Sequence, residues 1–255
     1  MSADEHSLQM VPYTMRIFRH FRKSKAALPL RKGLDLCCGT GSATLALAEE
    51  GYAMTGVDGS RQMLRHAKTK ISDSMRAGAK RVSFVEGILP DFRTHRRLQK
   101  DQSFDFVTSF YDSLNYVLTE DKLAKTFAHV STLLKPGGLF VFDMNSAEAL
   151  KTIWGSQVYA GAEEDVAWIW KNQYYAKAKM ADAHTIFFAK TRAKTGKQEL
   201  WRRFDETHTE KAYTISCVRR LLRQSGLQPL GSYRCFTFTP AKAKDYRYCF
   251  VARKK

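Results

Sequence analysis

The sequence predicts an α/β fold built on a doubly wound, mostly parallel sheet, and three observations carry that reading. Up to about residue 145, five short apolar runs alternate with longer helical patterns. That is the rhythm of right-handed βαβ crossovers, with both sheet faces covered. A Gly-x-Gly turn follows the first run. Beyond Asn145 the hydrophobic period changes to two, the mark of a small antiparallel sheet.

Each element follows in order. Residues 12–27 place Met15, Phe18, Phe21 and Arg22 at helical spacing, which predicts an amphipathic N-terminal helix. GLDLCC is a buried strand, and SATLALAEEG a helix stopped by Gly51. YAMTGVD is the second strand, with Ser60 as N-cap of a helix reaching about Met75. RVSFVEG, FDFVTSF and GLFVFDM complete the five. A helix from Thr119 to Leu134 precedes the fifth and ends at Lys135-Pro136-Gly137-Gly138. Segments 164–175, 184–192 and 199–209 alternate apolar and polar residues, the last two joined by a turn at Lys194-Thr195-Gly196-Lys197. A helix from Thr214 to Ser225 and strands near 230–238 and 246–252 finish the chain. Residues 1–150 and 210–255 therefore read as one body, with 151–209 as an inserted antiparallel lid.

The 255 residues are ample for one domain with an insertion, and 44% hydrophobic content excludes a disordered chain. MSADEHSLQM lacks a basic and an apolar signal region, and no run approaches the roughly 18 residues that span a bilayer. A soluble, cytoplasmic protein is expected. Five cysteines without CxxC spacing suit reduced thiols, and no His/Cys cluster suggests a metal. The net charge is +17; residues 151–255 carry 21 basic and 9 acidic residues, a surplus of +12. A basic lid fits an anionic small substrate or a nucleic acid, and equally a solvated surface.

The chemistry begins at Leu34-Asp35-Leu36-Cys37-Cys38-Gly39-Thr40-Gly41-Ser42. A strand ending in Gly-x-Gly and opening a helix lets backbone approach a ligand, because a Cβ at Gly39 or Gly41 would collide with it. The dinucleotide fingerprint GxGxxG fails at Thr44, and no GK[ST] of a phosphate loop follows. Asp58 ends the second strand, where a carboxylate accepts both ribose hydroxyls. Asp35 lies beneath the loop. An acidic set without a phosphate-binding cation suits a nucleoside bearing an ammonium and a sulfonium.

With these residues in hand, the sequence resembles the class I S-adenosylmethionine-dependent methyltransferases. LDLCCGTG, GVDGS, FVEG, FDFVTSFYDSLNYV and LLKPGGLFVFD occur in the family's order over roughly residues 10–145. The resemblance implies a Rossmann-like seven-stranded sheet with an antiparallel last strand. It implies S-adenosyl-L-methionine as cofactor, with Gly39 and Gly41 against its methionine end and Asp35, Cys37 and Thr40 also in the cofactor-binding set. Asp58 would hold the ribose and Gly87 and Ile88 would flank the adenine, with Gly59, Ser60 and Met63 in the same cofactor-binding set. Tyr13, Phe110 and Asp112 complete that set. Where the family commonly has Gly-Asp after the third strand, this chain has Gly87-Ile88, so the carboxylate contact to adenine is lost. YDSLNYV, FDMNS and Phe204-x3-His208-x4-Tyr213 resemble a narrower group that includes sugar-amine N-methyltransferases with an antiparallel lid.

Ligands of open α/β sheets sit at the carboxyl ends of the strands. Asp112 and Asn115 are therefore expected to position cofactor or nucleophile, with His208 as a general base from the lid. Tyr111, Asn115, Asp143 and Asn145 are expected to meet the substrate. Their plain alternatives are an N-cap or turn role for Asp112, a core aromatic at Tyr13 and a structural His208. The expected activity is methyl transfer to N or O of a small molecule. The alternative is RNA or protein methylation through the basic lid, which Phe110-Tyr111-Asp112-Ser113 disfavours.

Overall fold

A computed structural model describes residues 3–21, 30–71, 82–95, 98–191 and 199–255. The expected continuation of the first helix to residue 27 (with Arg22), of the third to Met75, and the turn at Lys194-Thr195-Gly196-Lys197 fall outside these. The N-terminal pattern folds as α1, Ala3–Phe21. Its Met10, Ile17 and Phe18 turn into the core, and Phe18 meets Phe106 with ring centroids 4.8 Å apart.

The apolar runs become β1 (Lys32–Leu36), β2 (Ala53–Asp58), β3 (Val82–Glu86), β4 (Phe104–Ser109) and β5 (Leu134–Asn145). Between them lie α2 (Ser42–Glu49), α3 (Arg61–Thr69) and α4 (Glu120–Leu133). Ser60 and Thr119 cap α3 and α4 by accepting the Met63 and Lys122 N–H groups. Boundaries differ from expectation in places: α1 starts at Ala3 and not at residue 12, and the fifth strand does not wait for its glycines. The strand starts at Leu134 directly behind α4, and Lys135-Pro136-Gly137-Gly138 lies inside it, where Gly137 has φ +80° and the register with β4 shifts.

The second half forms β6 (Val158–Ala162), β7 (Val166–Tyr175), β8 (Met180–Thr191) and β9 (Leu200–Lys211). Then come α5 (Ile215–Gln224), β10 (Leu227–Arg234) and β11 (Arg247–Lys254). Seven strands make one sheet in the order β10-β11-β5-β4-β1-β2-β3, with β1 to β5 parallel and β11 antiparallel to both neighbours. Chain order reverses between β1 and β4, so the crevice at their carboxyl ends is the expected ligand position. Apolar side chains fill both faces. Phe140, Phe142 and Phe250 stack under α4 and α5 at 4.5 and 5.1 Å, each ring worth roughly 2–3 kcal/mol of burial.

The other four strands form a separate antiparallel sheet, β6-β7-β8-β9. The sequence did not mark β6, whose Tyr159-Ala160-Gly161 carries no alternation; Gly161 leaves room for the Trp168 ring, which an added Cβ would meet at 2.3 Å. Pairing of Trp168 with Phe187 and of Phe187 with Phe204 sets these rings on one face. By the two-residue period His208 and Glu210 share that face. Lys171, Lys190, Arg203 and Lys211 fall on the opposite one. The turn from β5 into this sheet, Ala147–Ala149 continuing through Leu150–Trp154, packs Leu150 against Ala181 and Ala212 at the stem.

Candidate active site

Two groups of polar residues meet at the carboxyl ends of the parallel strands. The first surrounds the Gly-x-Gly turn. Gly39 has φ +54°, and a Cβ there would meet nothing within 4 Å, so open space stands over this residue. Its N–H donates to Asp58 Oδ2 at 2.8 Å, and the Ser60 N–H donates to Oδ1 at 2.8 Å. One carboxylate thus ties both loops together, and each oxygen keeps a lone pair. Gly41, at φ +79°, differs: a Cβ there would lie 2.8 Å from the Phe84 ring. The second glycine is required by packing inside the protein, not by a ligand as the sequence suggested.

Asp35 lies under this turn, 2% exposed, accepting from Thr44 Oγ1 at 2.6 Å and Thr108 Oγ1 at 2.8 Å. It joins β1, α2 and β4. Burial pushes its carboxyl up to about 6 against the pull of those two hydroxyls. The half-buried Cys37 thiol is pushed up to about 12, chiefly by desolvation and then by the Asp58 charge. Lys70 donates to Thr40 Oγ1 at 2.9 Å and Ser42 Oγ at 3.3 Å, a cation beside the turn that the sequence did not place there. Ile88 is 67% exposed and stands against Gly59, while Gly87 donates its N–H to the Asp58 carbonyl. Met63 is exposed on the first turn of α3.

The second group is buried. Asp143, at the end of β5, accepts the backbone N–H groups of Tyr111 (2.7 Å) and Asp112 (3.3 Å). Those residues have φ +57° and +54°, two consecutive left-handed non-glycine positions. Such conformations cost about 1–3 kcal/mol each and persist only where the surroundings impose them. Asp143 imposes them, and is itself held by Arg247 Nη1 at 2.5 Å and His6 Nε2 at 3.3 Å. Burial alone would raise its pKa, but Arg247 and His6 hold it below the ordinary range. Arg247 also reaches Asp112 Oδ1 at 3.1 Å and lies over the Tyr111 ring. Phe110, just before this turn, is part of the core.

Asn115 and Asn145 connect this cluster to the second sheet. Asn115 Nδ2 donates to the carbonyls of Asn145 and Lys211, and its Oδ1 accepts the Asn145 N–H. Asn145 Nδ2 donates to Asp112 Oδ2 at 2.5 Å and to Glu210 Oε2 at 2.9 Å. Glu210 is fully buried, and its other oxygen has no hydrogen-bond partner. Burial and the adjacent Asp112 charge raise its pKa well above the ordinary range.

Two expected residues make other contacts. Tyr13 is 2% exposed, donates to the Thr237 carbonyl and packs on Phe236 and Phe238, as a core residue does. His208 is half-exposed, with Nδ1 3.4 Å from Tyr116 Oη and Nε2 3.3 Å from Glu206. Sequence reasoning missed His6, Glu210 and Arg247. Arg247 at the head of the apolar strand RYCFVARK was a signal; Glu210 looked like any polar residue of an alternating strand.

Comparisons with known proteins agree with this geometry. A "Methyltransferase domain" family description matches residues 34–138. A putative methyltransferase of Bacillus subtilis is 31% identical over 232 residues, covering 90% of this chain and 87% of that protein. A second, from Geobacillus, is 32% identical over 221 residues, covering 87% and 83%. Among solved structures, an S-adenosylmethionine-dependent methyltransferase from Clostridium acetobutylicum superposes with TM-score 0.78 at 25% identity, covering 100% of this chain and 92% of that one. A sugar N-methyltransferase from Streptoalloteichus shares the fold with TM-score 0.71 at 18% identity, covering 98% and 88%. A crevice at the reversal point of a seven-stranded sheet, an open glycine turn tied to an acidic strand end and full-length relatives lead to one family: the chain belongs to the S-adenosylmethionine-dependent methyltransferases.

Proposed function

We propose that the protein methylates a nitrogen or oxygen atom of a small molecule seated between the β6–β9 sheet and the carboxyl ends of β4 and β5. The observation that carries this reading is the Asn145 amide, which binds Asp112 of the body and Glu210 of the second sheet at once. Residues 1–150 and 210–255 act as the cofactor-binding body and 151–209 as the lid. Solved neighbours described as a sugar N-methyltransferase and an amino pentose methyltransferase support a small acceptor.

The residues fit the cofactor. Space over Gly39 admits the methionine end, Asp58 keeps a lone pair on each oxygen for the ribose hydroxyls, and exposed Ile88 offers an apolar platform for adenine. When bound, S-adenosylmethionine supplies a methyl group on a sulfonium whose sulfur leaves without protonation. The protein's own contribution is positioning and a dry site. Asp112 and Asn115 hold the acceptor's polar hydrogens, and the left-handed turn at Tyr111 and Asp112 fixes the wall. Asp143 acts through that turn, since its oxygens already serve Arg247, His6 and two backbone groups.

Carboxylates at the reacting end favour an acceptor that donates hydrogen bonds, an amine before an alcohol, over an anionic one. Of the described strand cations, Lys171, Lys190, Arg203 and Lys211 lie on the face opposite Glu210, while Arg202 shares its face towards the other end of β9. A second reading, RNA docked on that outward face, is weakened because Lys190 and Arg203 pair with Glu199 and Asp205. Titration calorimetry with S-adenosylmethionine and its demethylated product tests the core of the reading: binding is expected in the wild type and absent in Asp58→Ala. A wild type that binds neither overturns it. A methyl-transfer screen over amines, alcohols and nucleosides then identifies the acceptor, and a binding signal for bulk RNA that falls steeply with salt would favour the second reading.

A further inference from the structure

Among the described residues of the second sheet, Glu210 is the one whose charged group is fully buried in the body's polar cluster. Its Oε2 accepts from Asn145, its Oε1 receives no donor, and its carboxyl lies close enough to Asp112 for the two to share a proton. Two carboxyl groups held against each other on the lid stem are costly unless one of them carries a proton. We propose that Glu210 receives the proton of the acceptor nitrogen, with Asp112 holding a second N–H of the same group. This rests on the reading of an acceptor methylated beneath the lid.

The surroundings decide how the charge is managed. From the body, Asp112, Asn145 and the Tyr111 and Tyr116 phenols face the Glu210 carboxyl. From β11, Arg247 adds one positive charge shared between Asp112 and Asp143. From β9 itself, Glu206 and His208 lie on the same face, and His6 stands behind Asp143. Two ionised carboxylates on one amide repel, so the resting site keeps a proton on Glu210. An entering ammonium replaces it charge for charge, and the displaced proton goes to solvent. The acceptor N–H bond then breaks with its electron pair left on nitrogen as the nucleophilic lone pair, and the proton returns to the Glu210 carboxylate. No oxidant or further co-reactant is required.

The test uses Glu210→Gln, which preserves the acceptor for Asn145 and the volume but takes no proton, with Glu210→Asp as the conservative variant. Calorimetry with S-adenosylmethionine should give the same affinity for all three proteins. On amines turned over by the wild type, Glu210→Gln should lower kcat by on the order of 10²-fold or more, with partial return in Glu210→Asp. The rise of wild-type kcat/KM with pH should vanish in Glu210→Gln. Independently of activity, a ¹³C-carboxyl titration of glutamate-labelled protein should show one resonance titrating above the ordinary range and missing from Glu210→Gln. A fully active Glu210→Gln, or a Glu210 resonance titrating like a surface glutamate, overturns the role of Glu210 alone. A wild type that binds the cofactor yet methylates no amine overturns the underlying reading instead.

Discussion

The Gly39–Asp58 side and the Asp143 side of the crevice are built on opposite plans. Around Gly39 and Asp58 the groups are half-exposed, lie within short stretches of chain and rely on backbone N–H groups. Around Asp143 they are buried, come from α1, β4, β5, β9 and β11, and rely on charged side chains that satisfy one another. The difference teaches that the fold can lose an interaction on the first side and keep its shape. On the second side each partner removed leaves a buried charge uncompensated.

The largest expected effect therefore belongs to Asp143. Asp143→Ala strands Arg247 and His6 and releases the strained turn at Tyr111 and Asp112, and should cost about 3–5 kcal/mol in urea unfolding. A loss below 1 kcal/mol would show the two sides to be alike. Within the glycine turn the contrast is finer. Gly41→Ala meets the Phe84 ring and should cost about 1–3 kcal/mol of stability. Gly39→Ala enters open space and should cost only the left-handed backbone, about 1 kcal/mol, while weakening cofactor binding at least tenfold, about 1.4 kcal/mol.

Acidity separates the sides as well. Asp35 has a folded pKa of about 6, above its unfolded value. Its stabilisation is thus fully present below pH ~4 and lost as pH rises through 6, roughly 3 kcal/mol at full effect. Asp143, held low by Arg247 and His6, contributes in the reverse sense, lost as pH falls. Stability measured from pH 2 to 7 in Asp35→Asn should show the slope between about 4 and 6 removed and the acid-side loss below about 4 left; an unchanged profile would remove Asp35 from the account. The smallest effect is expected at His208, whose contacts are half-exposed. His208→Ala should stay within about 0.5 kcal/mol and near wild-type turnover; a large loss of kcat would return the base role to it.

The same contrast explains how much the sequence disclosed. Strands β1 to β5, the cap at Ser60 and the place of Asp58 at the end of β2 were legible because apolar runs, caps and turns are local signals. The seven-stranded order with an antiparallel β11 came through the family resemblance. Packing decided what was misjudged: Tyr13 carries the same helical spacing whether it covers a ligand or, as here, fills the core under Phe236 and Phe238. The Glu210–Asn145–Asp112 bridge was not legible because it depends on where β9 lands on β5, a property of register and not of residue pattern.

His6 and Arg247 lie near opposite ends of the chain and close on the same Asp143 carboxylate. During synthesis the first of them leaves the ribosome long before the second has been translated. A nascent or truncated chain lacking its last strand would therefore carry an Asp143 without its principal counter-ion. Closure of the Asp143 cluster therefore waits for β11, so cleavage before Arg247 should silence methyl transfer well before it unfolds the Gly39–Asp58 half.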